Sequence, residues 1–533
     1  MELEKLNKEE LVNYIKEKTN NSPDMMYRNI NIDKYSTIVV YNEHVCNTEF
    51  ISNFVVKSIS NIIYDHVKTN DLNNINNSIN DNQNTNKVTI TKIKVKNKDN
   101  NIYLKDNDKK KYNEELFLIL SKQIYFSKAV IFDYDKDDLF YYIYSGFSII
   151  ILDNHIIALE TRAFLNRSID EPTNERSLKG PKDSFNENYS QNIGLVRKRL
   201  KDDKLKLIEE RLGRRSKTKI GILYIEDICK HELLNEIHSK LKDIDIDAVF
   251  DSNTLSEFLI AKNNSTIFPT IISTERPDLV SNYLLQGRIV VIVENSPFAI
   301  VFPTVISDFF KQMDDYYEKS NSVLFIRFIR YLAFFITLFI PAIYVSLTTF
   351  NQEALPTELL VSFATQRASV PASAFLEALI MIISFEILRE GDFRVPSMAG
   401  STLSIVGALI LGEAAVSAGI VSPVMIIVVA ITTISGILFT DVNLINAVRR
   451  WRIILLIFAA LAGIVGIIVA TFLFIIKIVS IDNFGVTYTS PFAPLNFEEL
   501  KTDTITRKNI TKHKKRNSLF TKNITRLKYE ERE

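Results

Sequence analysis

Three carboxylates interrupt apolar sequence in the C-terminal half of the chain, namely Glu377, Glu386 and Glu413. An ionisable group inside a membrane helix is costly, so it marks an ion pathway or a paired structural contact. Glu377 and Glu386 are nine residues apart, which places them on nearly opposite sides of an ideal helix. This spacing argues against one buried stripe and indicates a short or partly interfacial helix over residues 372–388.

A stripe of small and hydroxylated residues surrounds Glu413. The members of the stripe occur at helical spacing and share one face of a predicted helix: Ser401, Ser404, Ala408, Leu411 and Ala415. Small residues allow close helix packing, and the same composition can line a narrow pore. The stripe alone favours packing, whereas Glu413 favours a pore. In the pore hypothesis, hydroxyl groups replace part of a cation's hydration, and the apolar level near Leu411 closes by dewetting.

Enzyme motifs are missing from the sequence. None of the six histidines has the spacing of a paired metal site, and neither a nucleophile-elbow serine nor a glycine-rich dinucleotide motif occurs. The two cysteines, Cys46 and Cys229, are predicted to be free thiols in a reducing compartment. The chain has 64 Lys and Arg against 63 Asp and Glu, so no overall charge favours nucleic acid. We expect a protein without catalytic activity, cofactor or metal.

A charged stretch near the middle of the chain contains four notable arginines: Arg197, Arg199, Arg214 and Arg215. These side chains could form an anion-binding or subunit-interface patch. Charge runs are more often solvated faces, so the favoured interpretation is a solvated linker helix that begins near Phe185.

The elements that must position these residues differ between the two halves. Up to Ser322 no uncharged run exceeds 14 residues, whereas four longer runs follow, at residues 331–352, 395–412, 414–440 and 453–476. A helix of about 20 residues crosses the roughly 30 Å of a bilayer's hydrocarbon. The second half is therefore predicted to be an α-helical membrane domain of four to five spans, of which 453–476 is the last.

The orientation of the chain follows from its flanking charges. The N-terminus lacks the apolar core of a signal peptide, so the N-terminal head is expected on the cytoplasmic side. Arg327 and Arg330 precede the first span, as the positive-inside rule requires. Five spans would place the C-terminal tail outside, while the basic residues of the tail favour the inner leaflet. The sequence leaves the side of the tail open.

The head contains an internal repeat. Gly146 and Gly287 each precede an apolar strand and a turn with an acid and an asparagine, at an offset of 141. Cys46 aligns with Cys229 at an offset of 183. The difference predicts an insertion in the first copy, and an Asn-rich and Lys-rich stretch at about 68–112 supplies it; part of this stretch is interpreted as a disordered loop. The predicted fold class is an α/β head of two related subdomains followed by a multi-span helical domain.

The predicted domain boundaries follow the chain in seven segments. They are an N-terminal helix or tail (1–22), subdomain 1 (23–165), a charged linker helix (166–214), subdomain 2 (215–305), a connector (306–322), the membrane domain (323–480) and a basic C-terminal tail (481–533).

Short motifs distributed over most of the chain carry a family resemblance. They lie at residues 213–218, 274–278, 295–299, 330–335, 341–350, 386–390, 404–409, 418–423, 484–486 and 490–494. Together they resemble the GerA family of spore germination proteins, from about residue 171 to residue 494 and more loosely to the N-terminus. The Asn-rich insert and the extended basic tail depart from the family pattern.

The resemblance implies the A subunit of a nutrient germinant receptor, a multi-pass protein of the spore inner membrane. Its expected partners are a polytopic B-type subunit, a lipoprotein C-type subunit, further copies of itself in a ring, membrane lipid and monovalent cations. The implied activity is a nutrient-gated cation channel that triggers germination. Two alternatives stay open: a related non-receptor protein that amplifies ion release, and a membrane-anchored scaffold whose head recruits partners.

Overall fold

The fold of the chain is given by a computed structural model. It describes residues 8–33, 35–68, 106–123, 130–132, 138–152, 155–163, 175, 177, 179–260, 266–394, 410–439, 441–507, 516 and 519–526. Of the stretch predicted to be an insertion, at about 68–112, residues 69–105 lie outside the described residues, whereas 106–112 begin the helix Asp106–Gln123.

The N-terminal half forms two five-stranded antiparallel sheets. The first has the order β1-β2-β4-β5-β3 and the second the order β6-β7-β9-β10-β8, so the two sheets have the same topology. The strands of the first sheet are β1 (Met25–Ile32), β2 (Tyr35–Asn42), β3 (Val130–Phe132), β4 (Phe147–Ile151) and β5 (Ile156–Glu160). Those of the second are β6 (Leu205–Leu212), β7 (Thr218–Ile225), β8 (Ile272–Thr274), β9 (Ile289–Val293) and β10 (Ala299–Phe302).

Local sequence explains the matching strands. β4 (Phe-Ser-Ile-Ile-Ile) and β9 (Ile-Val-Val-Ile-Val) are buried along their whole length, in agreement with their largely apolar sequences. Gly146 and Gly287 precede these strands with φ of 87° and 85°, a conformation that glycine adopts without strain. Asn295 follows β9 with φ of 64°, as expected for a hairpin turn. Its predicted counterpart, Asn154, lies outside the described residues.

Helices cover both sheets. In the first repeat they are Lys8–Lys18, a helical stretch over residues 48–68 that includes the π-helix Ile51–Val56, Asp106–Gln123 and Leu139–Tyr144. In the second repeat they are Tyr189–Arg199, His231–Lys242, Ser252–Ile260 and Pro277–Leu285.

The second repeat begins earlier than the predicted boundary at residue 215. Helix Tyr189–Arg199 precedes β6 as helix Lys8–Lys18 precedes β1, and β6 pairs along its whole length with β7. Ile193, Leu195 and Val196 of this helix are buried in the core. The interpretation of a solvated linker helix is therefore wrong, because the charges of this stretch conceal an apolar face.

The C-terminal half is a bundle of helices. They are Ser320–Thr349, Thr357–Arg367, Ala374–Arg394, residues 410–417, Pro423–Ile437 and Val442–Val479. Two of the described helices, Ser320–Thr349 and Val442–Val479, are long and apolar enough to cross a membrane by length and composition. The helix predicted to be short, residues 372–388, instead extends from Ala374 to Arg394.

Helix Val442–Val479 reverses its direction at Ala462 and Gly463, whose backbone angles are not helical. The rings of Trp451 and Phe474 lie 5.3 Å apart, although 23 residues of straight helix would separate them by about 34 Å. We call this element the helical hairpin. The predicted single last span over 453–476 is therefore wrong, since its midpoint is a turn.

The reversal returns the chain to the head. Phe474, in the second arm of the helical hairpin, contacts Phe268 of the second repeat at a ring distance of 5.7 Å. Beyond the hairpin, Asn483 donates from Nδ2 to the carbonyl oxygens of Thr270 and Thr304 at 2.6 and 2.8 Å. One hydrophobic core extends from the second sheet into the bundle. The start of the bundle and the segment after it therefore lie at the same end.

Candidate functional site

Three elements meet where the head joins the bundle. They are the connector, with 3₁₀ turns Ile306–Phe310 and Met313–Tyr316, the first turns of helix Ser320–Thr349, and the short helix Phe497–Asp503 after the helical hairpin. Five charged side chains link them, and we call this group the junction: Asp315, Arg327, Arg330, Asp503 and Arg507.

Asp315 receives both arginines of the first bundle helix. Arg327 donates from Nε to Asp315 Oδ2 at 3.0 Å, and Arg330 donates to both carboxylate oxygens at 2.8 and 2.9 Å. Arg330 also donates to the carbonyl oxygen of Phe310 at 3.1 Å. The side chains of Arg327 and Asp315 are 0% and 2% exposed, so protein groups and not solvent must supply the hydrogen bonds of this pair.

The segment beyond the hairpin closes the junction from the other side. Arg327 donates from Nη1 to Asp503 Oδ1 at 3.1 Å, and the hydroxyl of Tyr316 donates to Asp503 Oδ2 at 2.6 Å. Arg507 donates to the carbonyl oxygen of Asp315 at 2.6 Å. Burial, followed by the charge of Asp503, raises the pKa of Tyr316 far above its ordinary value, so its hydroxyl stays a donor.

A second buried pair lies next to the junction arginines. Arg288, which directly precedes β9, contacts Asp308 through Nη1 and Oδ2 at 2.6 Å. Burial alone would raise the pKa of Asp308, but the charges of Arg288 and Lys311 outweigh burial and hold the pKa below its usual value. The guanidinium of Arg288 lies between the rings of Tyr283 and Phe520, at 4.5 and 4.4 Å from their centroids.

The four arginines of the predicted patch do not form one surface. Arg197 is fully buried and contacts Asp24 of the first repeat, with Nη2 and Oδ2 at 2.9 Å. Arg199 pairs with Asp183 at 2.5 Å. The other two, Arg214 and Arg215, are exposed; Arg214 pairs with Asp245. Arg197 thus joins the two repeats. The basic sequence around it does not predict this role, because its partner Asp24 lies in the other repeat.

Two carboxylates of the bundle are paired: Glu377, which is buried, and Glu386, which is half-buried. Glu377 accepts from the backbone nitrogen and hydroxyl of Ser422 at 3.0 and 2.8 Å, and Arg367 lies 3.4 Å away. Glu386 accepts from Arg389 and Arg452 at 2.6 and 2.9 Å. Both carboxylates therefore hold neighbouring helices together. Helix Ala374–Arg394 thus makes polar contacts from two opposite faces.

The predicted pore-lining residues fall into two groups. Three of them, Ser401, Ser404 and Ala408, lie outside the described residues. In the helix over residues 410–417, Leu411 is half-buried and Glu413 is exposed, whereas Ala415 is buried among the chain's own helices. Ala415 packs inside this chain, so it has no surface free to face a shared axis. The pore role of Leu411 and Glu413 stays a prediction.

Both cysteines are free and buried. Burial raises the pKa of Cys46 and of Cys229 to about 12, which makes both thiols unreactive at neutral pH. Among the described residues no group of three or more His, Cys, Asp or Glu side chains could hold a metal ion.

Comparison with known proteins identifies the family. The model of the family described as Bacillus/Clostridium GerA spore germination protein matches residues 13–519. The chain belongs to the GerA family. This match includes both repeats, the junction and the helical hairpin.

Individual GerA relatives agree with this membership. Spore germination protein KA of Bacillus subtilis is 40% identical over 68% of this chain and 67% of its own length. Spore germination protein GerLA of Bacillus cereus is 35% identical over 69% of this chain and 75% of its own length.

The crystal structure of the N-terminal domain of the A subunit of the Bacillus megaterium spore germinant receptor GerK3 has a TM-score of 0.37 and 26% identity, and covers 56% of this chain and 95% of that one.

The acidic half of the junction in this GerA protein escaped sequence reasoning. Arg327 and Arg330 were noticed only as flanking charges of the first span. Asp315 and Asp503 are separated by the whole bundle, so nothing in the local sequence links them. The basic tail was the one signal that the two ends of the bundle lie on the same side. A tail on the inner side, like the head, requires an even number of crossings.

Proposed function

We propose that this chain is the A subunit of a spore germinant receptor in the spore inner membrane. In this proposal several copies form a ring, the bundle helices cross the membrane with the head on the core side, and the ring is a nutrient-gated cation channel. Its partners are a polytopic B-type subunit and a lipoprotein C-type subunit, and the chain itself performs no catalysis. Family membership, the apolar helix Ser320–Thr349 and the two apolar arms of the helical hairpin support this assignment.

The junction is the observation that carries the proposal. A channel that responds to a signal at its head needs a stiff connection between head and helices, because coupling travels through packed and hydrogen-bonded elements. Arg327 connects the connector, the first bundle helix and the segment after the helical hairpin in one buried network. A rotation of the head would therefore move the first and last bundle helices together.

The conducting path in this proposal is the helix that includes Leu411 and Glu413. Glu413 is exposed in the single chain, which is what a residue that faces neighbouring copies requires. A carboxylate there would raise the local cation concentration, and Leu411 would supply the apolar level that closes by dewetting.

Reconstitution in liposomes tests the function. The purified chain, together with its B-type and C-type partners, is compared with its Leu411→Ser variant by the cation flux after nutrient addition. We expect nutrient-dependent flux in the wild type and flux without nutrient in the variant. Ile434→Ser, an exposed apolar position on helix Pro423–Ile437, is the matched control. If the folded assembly shows no cation flux, the scaffold alternative is favoured.

A further inference from the structure

A short C-terminal segment returns to the second repeat and pairs with its edge. Thr521 forms an antiparallel bridge with Cys229, and the backbone nitrogen of Lys522 donates to the carbonyl oxygen of Ile228 at 2.8 Å. Lys230 Nζ donates to the carbonyl oxygen of Leu519 at 2.8 Å. We call residues 519–522 the latch and its binding position the groove.

The first repeat has the same groove with a different occupant. Arg162 bridges Cys46 there, and the backbone nitrogen of Ala163 donates to the carbonyl oxygen of Val45 at 3.0 Å. These residues directly follow β5, so the first groove is filled by the local continuation of the chain. In the second repeat the equivalent position is filled by a segment almost 300 residues away from Lys230, whose contact with Leu519 spans 289 positions.

A glycine forms the floor of each groove. A Cβ on Gly146 would approach Arg162 Cγ to 2.6 Å, and a Cβ on Gly287 would approach Thr521 Cγ2 to 2.7 Å. Both distances are shorter than nonbonded atoms tolerate, so each glycine makes room for the occupant. The repeat thus preserves a site for an extended peptide, of the kind that adds to an exposed sheet edge.

We propose that the groove of the second repeat is a peptide-binding site and that the latch is its detachable ligand within the same chain. Only Phe520 and Thr521 of the latch are buried, at 1% and 3% exposed. Burial of Phe520, its contact with the Arg288 guanidinium and the two hydrogen bonds of the latch together correspond to binding of a free peptide in about the millimolar range. A tether to the same chain supplies an effective concentration on the order of 1 mM, so bound and released latch are close in free energy.

Release of the latch would reach the neighbourhood of the junction. Phe520 covers the guanidinium of Arg288. It also forms one wall of a cavity of about 280 Å³ whose other walls include Asp308 and Asp503. An empty groove would therefore admit water to the Arg288 and Asp308 pair and weaken it, because a buried pair depends on exclusion of solvent.

Disulfide trapping in the full-length chain tests this proposal. In a Thr521→Cys variant that also carries Cys46→Ala, the new thiol faces Cys229 across an antiparallel bridge, at the Cα separation that a disulfide accepts. Because burial keeps the Cys229 thiol protonated at neutral pH, the oxidation is run at about pH 9 with excess oxidant, for long enough to link the first-repeat control completely, since Cys46 is buried in the same way. Under these conditions the two thiols should link within one chain. Absence of the crosslink would overturn the groove assignment, and a crosslink between two chains would overturn the assignment of the ligand to the same chain.

Competition tests whether the latch detaches. A synthetic peptide of residues 516–526 at about 5 mM, several times the effective concentration of the tether, should slow crosslinking several-fold. The same peptide with Phe520→Ala should compete at least several-fold less. A crosslinking rate that no concentration of peptide changes would make the latch a fixed part of the fold and overturn the proposal.

The first repeat supplies a matched control. An Arg162→Cys variant that also carries Cys229→Ala should crosslink to Cys46, and the peptide should not slow it, because that occupant is continuous with β5. Equal slowing in both variants would mean that the peptide perturbs the protein generally, which would also overturn the proposal. No step of this test depends on channel activity.

Discussion

Arg327 and Asp503 lie 176 positions apart in the chain, and their Nη1 and Oδ1 atoms are 3.1 Å apart. Arg327 belongs to the first helix of the bundle, and Asp503 ends the short helix that follows the last. Because the same guanidinium also contacts Asp315, one residue fixes the connector and both ends of the bundle. Substitutions in the junction should therefore weaken the connection between the head and the bundle helices.

Replacement of Arg327 by Met should strongly destabilise the protein. It leaves Asp315 and Asp503 buried without a common partner, a change that typically costs about 3–5 kcal/mol. Arg327→Lys should recover only part of the loss, because one ammonium cannot match the two contacts of a guanidinium. The measurement is the yield and apparent melting temperature of detergent-purified protein.

The exposed pair of Arg214 and Asp245 is the control for this experiment. Its side chains are 68% and 64% exposed, so Arg214→Met should leave the melting temperature unchanged. Equal effects of the two arginine substitutions would contradict the structural role of the junction.

Replacement of Gly463 by Ala should disrupt the helical hairpin. Gly463 has φ of 59°, and a Cβ there would lie 2.7 Å from Asn351 Oδ1 and 2.8 Å from Phe350 Cβ. A strained backbone of this type costs about 1–3 kcal/mol before the clash is counted. The expected result is a lower melting temperature and faster proteolysis at the turn.

Gly391→Ala is the matched substitution for Gly463→Ala. Gly391 lies in helix Ala374–Arg394, and a Cβ added there would meet no atom of the described residues within 4 Å. Alanine should be neutral or stabilising at this position, by at most about 1 kcal/mol. If the two alanine variants melt alike, the reversal at Gly463 is not required.

Acid should destabilise the first repeat through His44. Burial lowers the pKa of His44 to about 4, and neither ring nitrogen has a hydrogen-bond partner among the described residues. Between pH 6.5 and 4 the unfolded chain binds a proton that the folded chain does not, so stability falls as the pH falls, by up to about 3 kcal/mol. The pKa of Asp24 lies below its ordinary 3.8, so its contribution is lost only below this window.

His44→Phe should remove much of this pH dependence, because phenylalanine keeps the apolar volume beside Tyr189 without a titrating group. The measurement is the apparent melting temperature between pH 7 and 4. The exposed His231→Phe variant should keep the wild-type slope. An unchanged slope in His44→Phe would assign the acid sensitivity to other groups.

Two carboxylates of the bundle should respond differently to neutralisation. Glu377 is fully buried and accepts two hydrogen bonds from Ser422, so Glu377→Gln should lower the yield of folded protein. Glu413 is exposed in the single chain, so Glu413→Gln should leave the yield unchanged and reduce cation flux in liposomes. Reduced folding in Glu413→Gln would indicate a structural role for that carboxylate.

The repeat could be recognised in the sequence because its strands keep their pattern. The buried runs at β4 and β9 and the two glycines before them align at one offset, and both sheets have the same strand order. The helix that begins the second repeat was predicted as a linker, but its burial and its place in the repeat were not predicted. Its buried residues are directly followed by the basic run Arg197-Lys198-Arg199, and Arg197 is buried because Asp24, far away in the sequence, neutralises it.

The reversal in the helical hairpin could not be predicted from the composition of this segment. Residues 453–476 carry no charge, so hydropathy cannot distinguish one long helix from two short antiparallel ones. Gly463 was the only local signal of a turn, and glycine is common in membrane helices. The latch had no signal either, since a four-residue extended segment has no periodicity to detect.

The contacts of the C-terminal segment also set the order in which the protein can fold during synthesis. The first repeat contains all of its own sheet and groove occupant, so it can fold as soon as it leaves the ribosome. The groove of the second repeat can be filled only after Leu519 has been made, 289 residues after Lys230. At about 5–20 residues per second, this delay lasts roughly 15–60 s. During that time the groove of the second repeat has no occupant from its own chain.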